Sequence, residues 1–545
     1  MNISTATYAF FKAAGVFRVK TPEKARERFD EALPDYLANE GVNDDRTADT
    51  LYLDLLAHHE TVKRDKIAAD VAREEKRAAK EAAKANMPIA SGFKSLDEKI
   101  SRLDPGAYVF SAAQNNTTVD KIGLACIVNF CNVNGAKLMM GRMTYNKSGF
   151  QQPGVNEETW YAEEIRPYLV EGQIDVGGYH FLADANVIPT ATWPTSGFDG
   201  NTPAGVGAII PASKIELRVS AAGKNAKTKN IVATGCLTER NYILRKTGAK
   251  AAAAHCISAV YVNTLTGEMR VLEIMPDSDV LYDVTGVYGA DGTHRELSTG
   301  DVAAFQPGDI HAEKMEQENL DAVCDLIAEL RPENVLVHDL LDFSSRNHHN
   351  IKDPFFLQEQ YKAGNTVKGD LTKMSSVLDC LSDVGYGNIH IVESNHDLAI
   401  DTWLKGTDWR VDPINAETYL DLASAKVKGD KSFNTLAWAY KHIGGGGCAT
   451  YLTFHKTDED LSIAGVDMGN HGHNGANGSR GSPKQFAALG VPMNTGHTHS
   501  PSIYGRVYTA GVTASLEMGY NIGASSWAIA HIVTYPNGQR QILFG

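Results

Sequence analysis

From about residue 302 onward, short apolar runs in this chain end in polar residues capable of chemistry. Val335-Leu336-Val337 leads into His338-Asp339, Ile389-His390-Ile391-Val392 leads into Asn395-His396, and Ile463-Ala464-Gly465-Val466 precedes His471. Open α/β sheets present functional side chains in this way, at the carboxyl ends of their strands. Between the first clusters, residues 314–330 carry apolar positions at Leu320, Val323, Ile327 and Leu330. That helical period predicts a helix joining two parallel strands, a βαβ unit.

Upstream the pattern changes twice. Residues 107–112 read as a strand, 119–133 as a helix and 136–143 as a strand, a second β-α-β candidate. Residues 259–263 and 269–274 flank Thr264-Leu265-Thr266-Gly267 as a hairpin, and Gly289-Ala290-Asp291-Gly292 marks another turn. Near the N-terminus, Thr21-Pro22-Glu23 supplies an N-cap and a proline for the first helical position. Residues 61–84 then become rich in Ala, Glu, Lys and Arg and stop at Asn86-Met87-Pro88, predicting one long charged helix. The expected organisation is a small helical module over 1–60, a connecting helix over 61–88, a mixed α/β accessory domain over 89–300 and a catalytic domain over 301–545.

The 545 residues exceed a single core, and 43% hydrophobic content suffices for several. There is no run of about 18 apolar residues and no secretory leader pattern, so the expected location is cytoplasmic, without a membrane partner. The seven cysteines are scattered, which argues against a disulfide framework or a zinc ribbon. A net charge of −14 repels polyanions at long range, so a nucleic acid needs bound cations or a local basic patch. Residues 224–250 offer one: seven basic residues, including Lys224, Lys227 and Lys229, stand against the single acid Glu239, a formal charge of +6. This segment reads either as a grip on a phosphodiester backbone or as a solvated surface. The same choice applies to Arg73, Lys76, Arg77, Lys80 and Lys84, which share one helix face but are interleaved with Glu74, Glu75 and Glu81.

The polar clusters are Asp309-Ile310-His311, Asp339 with Asp342, Asn395-His396-Asp397, His471-Gly472-His473 and Gly496-His497-Thr498-His499. Two divalent cations about 3.5–4 Å apart need a short bridging carboxylate, neutral imidazoles and an amide oxygen. Asp339 suits the bridge, and an unligated imidazole can protonate a leaving oxygen.

In order and spacing, these residues resemble the calcineurin-like metallophosphoesterases, whose motifs are D-x-H, G-D-x-x-D, G-N-H-[DE], H-G and G-H-x-H. All five fall in order across about 190 residues. The resemblance implies a layered α/β/β/α sandwich, preceded here by a mixed α/β domain and an N-terminal helical region. It also implies that Asp309, His311, Asp339 and His499 hold one metal, while Asp339, Asn395, His471 and His497 hold the other. His396 would be the general acid, with Asp397 or Asp342 orienting it or its neighbours. His338 and Ser394 replace glycines of the pattern, and Phe343 stands where an arginine often follows the second motif. Arg346 is the nearby candidate for that phosphate contact. His455 also ends an apolar run, but His471 fits the family layout better; His455, His348 and His349 are left as supporting or surface residues.

The metal motifs do not choose among phosphomonoesters, cyclic nucleotides, phosphoproteins and nucleic acids. The long N-terminal half and the basic segment favour a macromolecule. The loop Asn474-Gly475-Ala476-Asn477-Gly478-Ser479-Arg480-Gly481-Ser482 reads either as a phosphate-approaching loop carrying Arg480 or as a mobile lid. Over its length the chain also resembles the pre-early DNA-degrading proteins of T-odd coliphages. This implies a DNA endonuclease dependent on two divalent metals, Mn²⁺ first and Mg²⁺ second, that degrades host DNA in the bacterial cytoplasm and self-assembles into homo-oligomers. The competing expectation is a phosphatase or cyclic nucleotide phosphodiesterase.

Overall fold

Thr21 sits in extended backbone and its hydroxyl accepts the Lys24 N–H at 3.4 Å, so the helix Pro22–Leu37 starts where the sequence places it. This computed structural model describes residues 5–14, 16–18, 21–38, 47–64, 101–147, 158–223, 226–347, 353–445, 451–457, 459–519 and 521–545. The chain divides into two units, 1–86 and 87–545. In the first, Thr5–Ala13, Pro22–Leu37 and a helix over 48–64 bury Phe11, Phe29, Tyr36, Leu51 and Leu55 together. Phe11 and Phe29 stack at 4.9 Å. Most of the expected charged helix, with its Arg73 to Lys84 stripe, lies outside the described residues, as do Lys224, His348 and His349.

The second unit is mixed α/β with several mixed sheets. Ala107–Gln114 and Lys137–Met143 pair in parallel across the helix Lys121–Val133, which Asp120 caps by accepting the Gly123 N–H at 2.8 Å. The expected hairpin forms too, between Ile257–Asn263 and Met269–Ile274. These four strands make one sheet.

A six-stranded sheet carries the first three ligand clusters. Its order is Leu452–His455, Asn388–Val392, Asn334–His338, Ala304–Gln306, Ala530–Thr534 and Arg540–Phe544. The first four strands are parallel and the last two antiparallel. The helix Gln317–Leu330 connects two parallel neighbours and buries Leu320, Val323, Ile327 and Leu330. It starts later than residue 314 because Ala312–Lys314 forms a separate 3₁₀ turn. Strand periodicity sends Val335 and Val337 into a core with Leu371, Leu378 and Trp403, while Leu336 meets Val466 and Met468 on the other face. On that second face Ala530, Ile532 and Ile542 also pack with Ile503, Tyr508, Leu217 and Val232. Both faces of the sheet are therefore buried, which explains its unbroken apolar runs.

One run folds differently from expectation. Residues 463–466 reverse on themselves, because Ala464 (φ 52°) and Gly465 (φ 74°) adopt left-handed backbone and Ile463 pairs with Val466. This hairpin edges a ten-stranded sheet. In that sheet Ser502–Tyr504 pairs with Ile215–Ser220, so strands from either side of residue 300 are hydrogen-bonded neighbours within one unit. No helix among the described residues is long and apolar enough to cross a membrane. Among them, no cysteine is disulfide-bonded; Cys324 and Cys380 face each other with sulfurs 3.6 Å apart.

Candidate metal centre

The five clusters emerge from two sheets. Asp309 and His311 follow Ala304–Gln306, Asp339 and Asp342 follow Asn334–His338, and Asn395 to Asp397 follow Asn388–Val392. His471 and His473 follow Val466–Asp467, and His497 and His499 follow Met493–Thr495. Three of the five loops turn sharply at their candidate ligands: His311, Asp339, His497 and His499 have φ of 43°, 45°, 72° and 54°. Side chains other than glycine are strained there, and such strain clusters where a site over-determines the backbone. Gly496 is required for another reason. A Cβ there would lie 2.1 Å from Asp309 Oδ1 and 3.2 Å from His471 Nδ1.

The side chains converge on Asp339. Its Oδ2 lies 3.5 Å from His311 Nε2, 3.2 Å from His471 Nε2 and 3.9 Å from His499 Nε2. Asp309 Oδ2 is 3.3 Å from His499 Nε2 and accepts the His497 backbone N–H at 2.7 Å. Asp309, His311, Asp339 and His499 each present a ligand atom within 4.8 Å of the others. The ring contacts form two groups. His396 and His499 pack edge-on to His311 at 4.9 and 4.8 Å, while His471 contacts His338, His473 and His497 at 5.5, 5.6 and 5.3 Å.

Asp339 is 1% exposed, yet neither carboxylate oxygen accepts a hydrogen bond. Asp309 Oδ1, Asn395 Oδ1 and His471 Nε2 are also buried without a hydrogen-bond partner. Burying such groups uncompensated costs several kcal/mol. A set of carboxylate, amide and imidazole donors suits divalent cations. Burial would raise the Asp339 carboxyl, but the imidazoles of His471, His396 and His311 outweigh it and hold the group well below the ordinary carboxylate range. Burial would lower His499, yet its contacts with Asp309 and Asp339 raise it to about 9. The carboxylates thus favour the charged imidazole at His471 and His499, whereas burial outweighs them and lowers His311, and His497 to about 4. Buried Asp/His clusters of this kind can hold metal ions and make the chain a candidate metalloenzyme.

A supporting layer holds these groups. Asp342 Oδ1 lies 3.3 Å from His311 Nδ1 and 3.5 Å from His396 Nδ1. Asp397 is used otherwise, accepting the backbone N–H groups of Leu341 and Ser394 at 3.0 and 3.1 Å. The serine in the glycine position completes that turn, its hydroxyl accepting the Asp397 N–H at 3.0 Å. Burial, then the neighbouring Asp339, push the Asp397 carboxyl up to about 7. Two supports were not anticipated from the sequence. His338 backs His471, with Nδ1 atoms 3.3 Å apart, and Glu313 accepts the N–H groups of both Asp342 and Phe343 at 2.7 Å. The unusual His338 was a visible signal; Glu313 gave none.

Other expected contacts go elsewhere. The Arg346 guanidinium is 4% exposed in its side chain and bidentate to Asp412 at 2.7 Å, so its fork is spent within the fold. Lys229 Nζ donates to the carbonyls of Asp199 and Thr202, which corrects its reading as a phosphate grip. Lys227 and Arg480 are exposed. His455 pairs with His390 at 2.9 Å and Glu459 at 3.4 Å, on a different strand end from His471.

No protein-family model matches the chain, and no solved structure matches it. Among curated proteins it is 40% identical over 477 residues to Protein A1 of Escherichia phage T5, an alignment covering 84% of this chain and 85% of that one. At that identity and coverage the chain belongs to the family of phage T5 Protein A1.

Proposed function

We propose that the protein is a two-metal phosphodiester hydrolase acting on DNA, a phage-made DNase of the bacterial cytoplasm. The observation carrying this reading is the Asp339 carboxylate, buried without a hydrogen bond amid His311, His471 and His499. Asp309, His311, Asp339 and His499 would hold one cation; Asp339, Asn395, His471 and His497 would hold the second. The resemblance to the T-odd phage proteins implies Mn²⁺ first and Mg²⁺ second, and the mixed imidazole and oxygen donors suit divalent cations. Bound there, such cations polarise a phosphoryl group and acidify water at neutral pH. His396 supplies the proton to the leaving oxygen. Its side chain is 13% exposed and its Nδ1 faces Asp342, so the proton comes from Nε2.

The DNA substrate rests on the resemblance to T-odd phage DNases and on kinship with a phage protein. Self-association into homo-oligomers belongs to the same proposal, since linked copies raise local concentration on DNA. The competing reading, a phosphatase or cyclic phosphodiesterase, gains from the internal engagement of Arg346 and Lys229.

Purified protein incubated with duplex DNA, single-stranded DNA and p-nitrophenyl phosphate, each with Mn²⁺, Mg²⁺ or EDTA, separates the two. Metal-dependent DNA cleavage is expected; intact DNA with cleavage of the small ester would establish the competitor. His396→Ala should keep its bound metal and lose cleavage by roughly 100-fold or more, the scale of general acid catalysis. Full activity in that variant would remove His396 from the proton-donor role.

A further inference from the structure

The glycine-rich loop leads from the metal centre to a second feature. Gly481 N–H donates to the His473 carbonyl at 3.0 Å, and a Cβ on Gly481 would lie 2.1 Å from Gly472 O. The loop is therefore closed tightly onto the backbone beside His471. Gly475 N–H bonds Ser479 O at 2.7 Å, and Asn474 bridges to Arg480. Past Arg480, the turn Pro483–Ala487 sets Lys484 Nζ over two rings, 5.3 Å from Trp193 and 5.1 Å from Tyr504. The rings meet edge to face at 5.2 Å. Tyr504 ends the strand Ser502–Tyr504, only five residues after His499. Lys484 follows the loop that closes beside His471, while Tyr504 pairs with Val507, level with Met493, so the rings lie toward the strand end away from His497 and His499.

Its charge is unspent. Arg480, Lys484 and Arg506 are exposed, and among the described residues none makes an ion pair. Arg346 and Lys229, by contrast, are satisfied internally. On a chain of net charge −14, exposed cations in no salt bridge among the described residues, with the buried Glu216 carboxylate acting on Lys484, are placed to meet an external anion. The partly exposed Trp193 and Tyr504, each with Lys484 over one ring face, add aromatic surface against which unpaired bases pack, the combination that holds single strands without sequence preference.

We propose that this ledge binds a single-stranded stretch of the DNA substrate leading away from the scissile phosphodiester, its phosphates on Arg480 and Lys484 and its bases against Trp193 and Tyr504. The proposal rests on the nuclease reading, which it makes more specific. In a paired duplex the bases are stacked on each other and cannot reach the rings, so the ledge favours frayed, nicked or unpaired DNA.

The test is fluorescence anisotropy of labelled oligo-dT and of a matched duplex with full-length protein in EDTA, so that binding is read without cleavage. Lys484→Ala and Trp193→Leu should weaken oligo-dT binding by roughly five-fold or more, the scale of one lost stacking or cation contact. The matched duplex should lose less. Lys484→Arg should restore binding, and Lys428→Ala, on a remote exposed helix, should bind like the parent. Removing Lys484 or Arg480 should also flatten the logarithmic salt slope by about 0.7 for each lost phosphate contact, whereas Trp193→Leu should not. Melting curves confirm that each variant is folded, with Trp193→Phe as the aromatic-preserving control. If Lys484→Ala and Lys484→Glu bind oligo-dT with unchanged affinity and slope, the ledge is overturned; should the parent still cleave DNA with Mn²⁺, the nuclease reading survives. A parent protein that neither binds nor cleaves DNA overturns both.

Discussion

Asp339 shows how much of this site depends on groups that are not themselves ligands. Its loop is held by Glu313, whose two oxygens take the N–H groups of Asp342 and Phe343 while Asp342 steadies His311 and His396. Glu313→Gln places an amide NH₂ against one of those N–H groups, two donors facing each other. The expected result is metal affinity about 10–100-fold weaker, the scale of lost outer supports, by calorimetric titration with Mn²⁺. Unchanged affinity would mean that the loop holds its own shape. The grouping of Asp309, His311, Asp339 and His499 was legible in the sequence because metal chemistry admits few residue types, and the fold keeps them at strand ends in fixed order. Glu313 was not, since a lone glutamate carries no pattern until the chain brings Asp342 and Phe343 to it. Arg346 misled for the opposite reason: its position suggested phosphate, but Asp412, 66 residues away, captures it.

At the level of elements, hydrophobic period located the helix Gln317–Leu330 and the parallel strands well, since both cores select the same alternating positions. It misjudged residues 463–466, where backbone sign at Ala464 and Gly465 outweighs an apolar run. Period also gave no hint of the ion pair joining three sheets. Arg270, on Met269–Ile274, is bidentate to Asp283, at the end of Val280–Asp283, at 3.0 and 3.1 Å; Gln541 of the six-stranded sheet donates to the same carboxylate at 2.8 Å. Asp283→Asn leaves the Arg270 charge buried and should cost about 3–5 kcal/mol in chemical denaturation. Burial would raise the Asp283 carboxyl, but Arg270 outweighs it and holds the group below its ordinary value. The pair's contribution is therefore full above the unfolded carboxyl's pKa, about 3.9, and declines as pH falls through the lower folded value. The gap between parent and variant should narrow correspondingly in acid. A gap independent of pH would assign the loss to packing.

For the molecule as a whole, the ten-stranded sheet decides what can be separated. Strands between residues 173 and 234 share it with strands between 462 and 509, across the boundary that composition suggests near residue 300. Composition could not expose this, because pairing partners more than 280 residues apart leave no local trace. A fragment of residues 301–545 should expose the edge of Ser502–Tyr504 and the apolar face of Ile503 and Tyr508. It should aggregate and bind no metal, while residues 87–545 should remain soluble and melt in one transition. A soluble, metal-binding 301–545 fragment would show that the shared sheet is dispensable.

The backbone around Asp309 has a further consequence in time. Its N–H bonds Gly511 O, its carbonyl accepts the Thr513 N–H, and its carboxylate holds the His497 N–H. Asp309 therefore waits on the ribosome for partners made some 190 to 200 residues later. Until they emerge, the growing polypeptide cannot fix the backbone and carboxylate of Asp309, so the buried Asp/His cluster assembles only after residue 513 has been made.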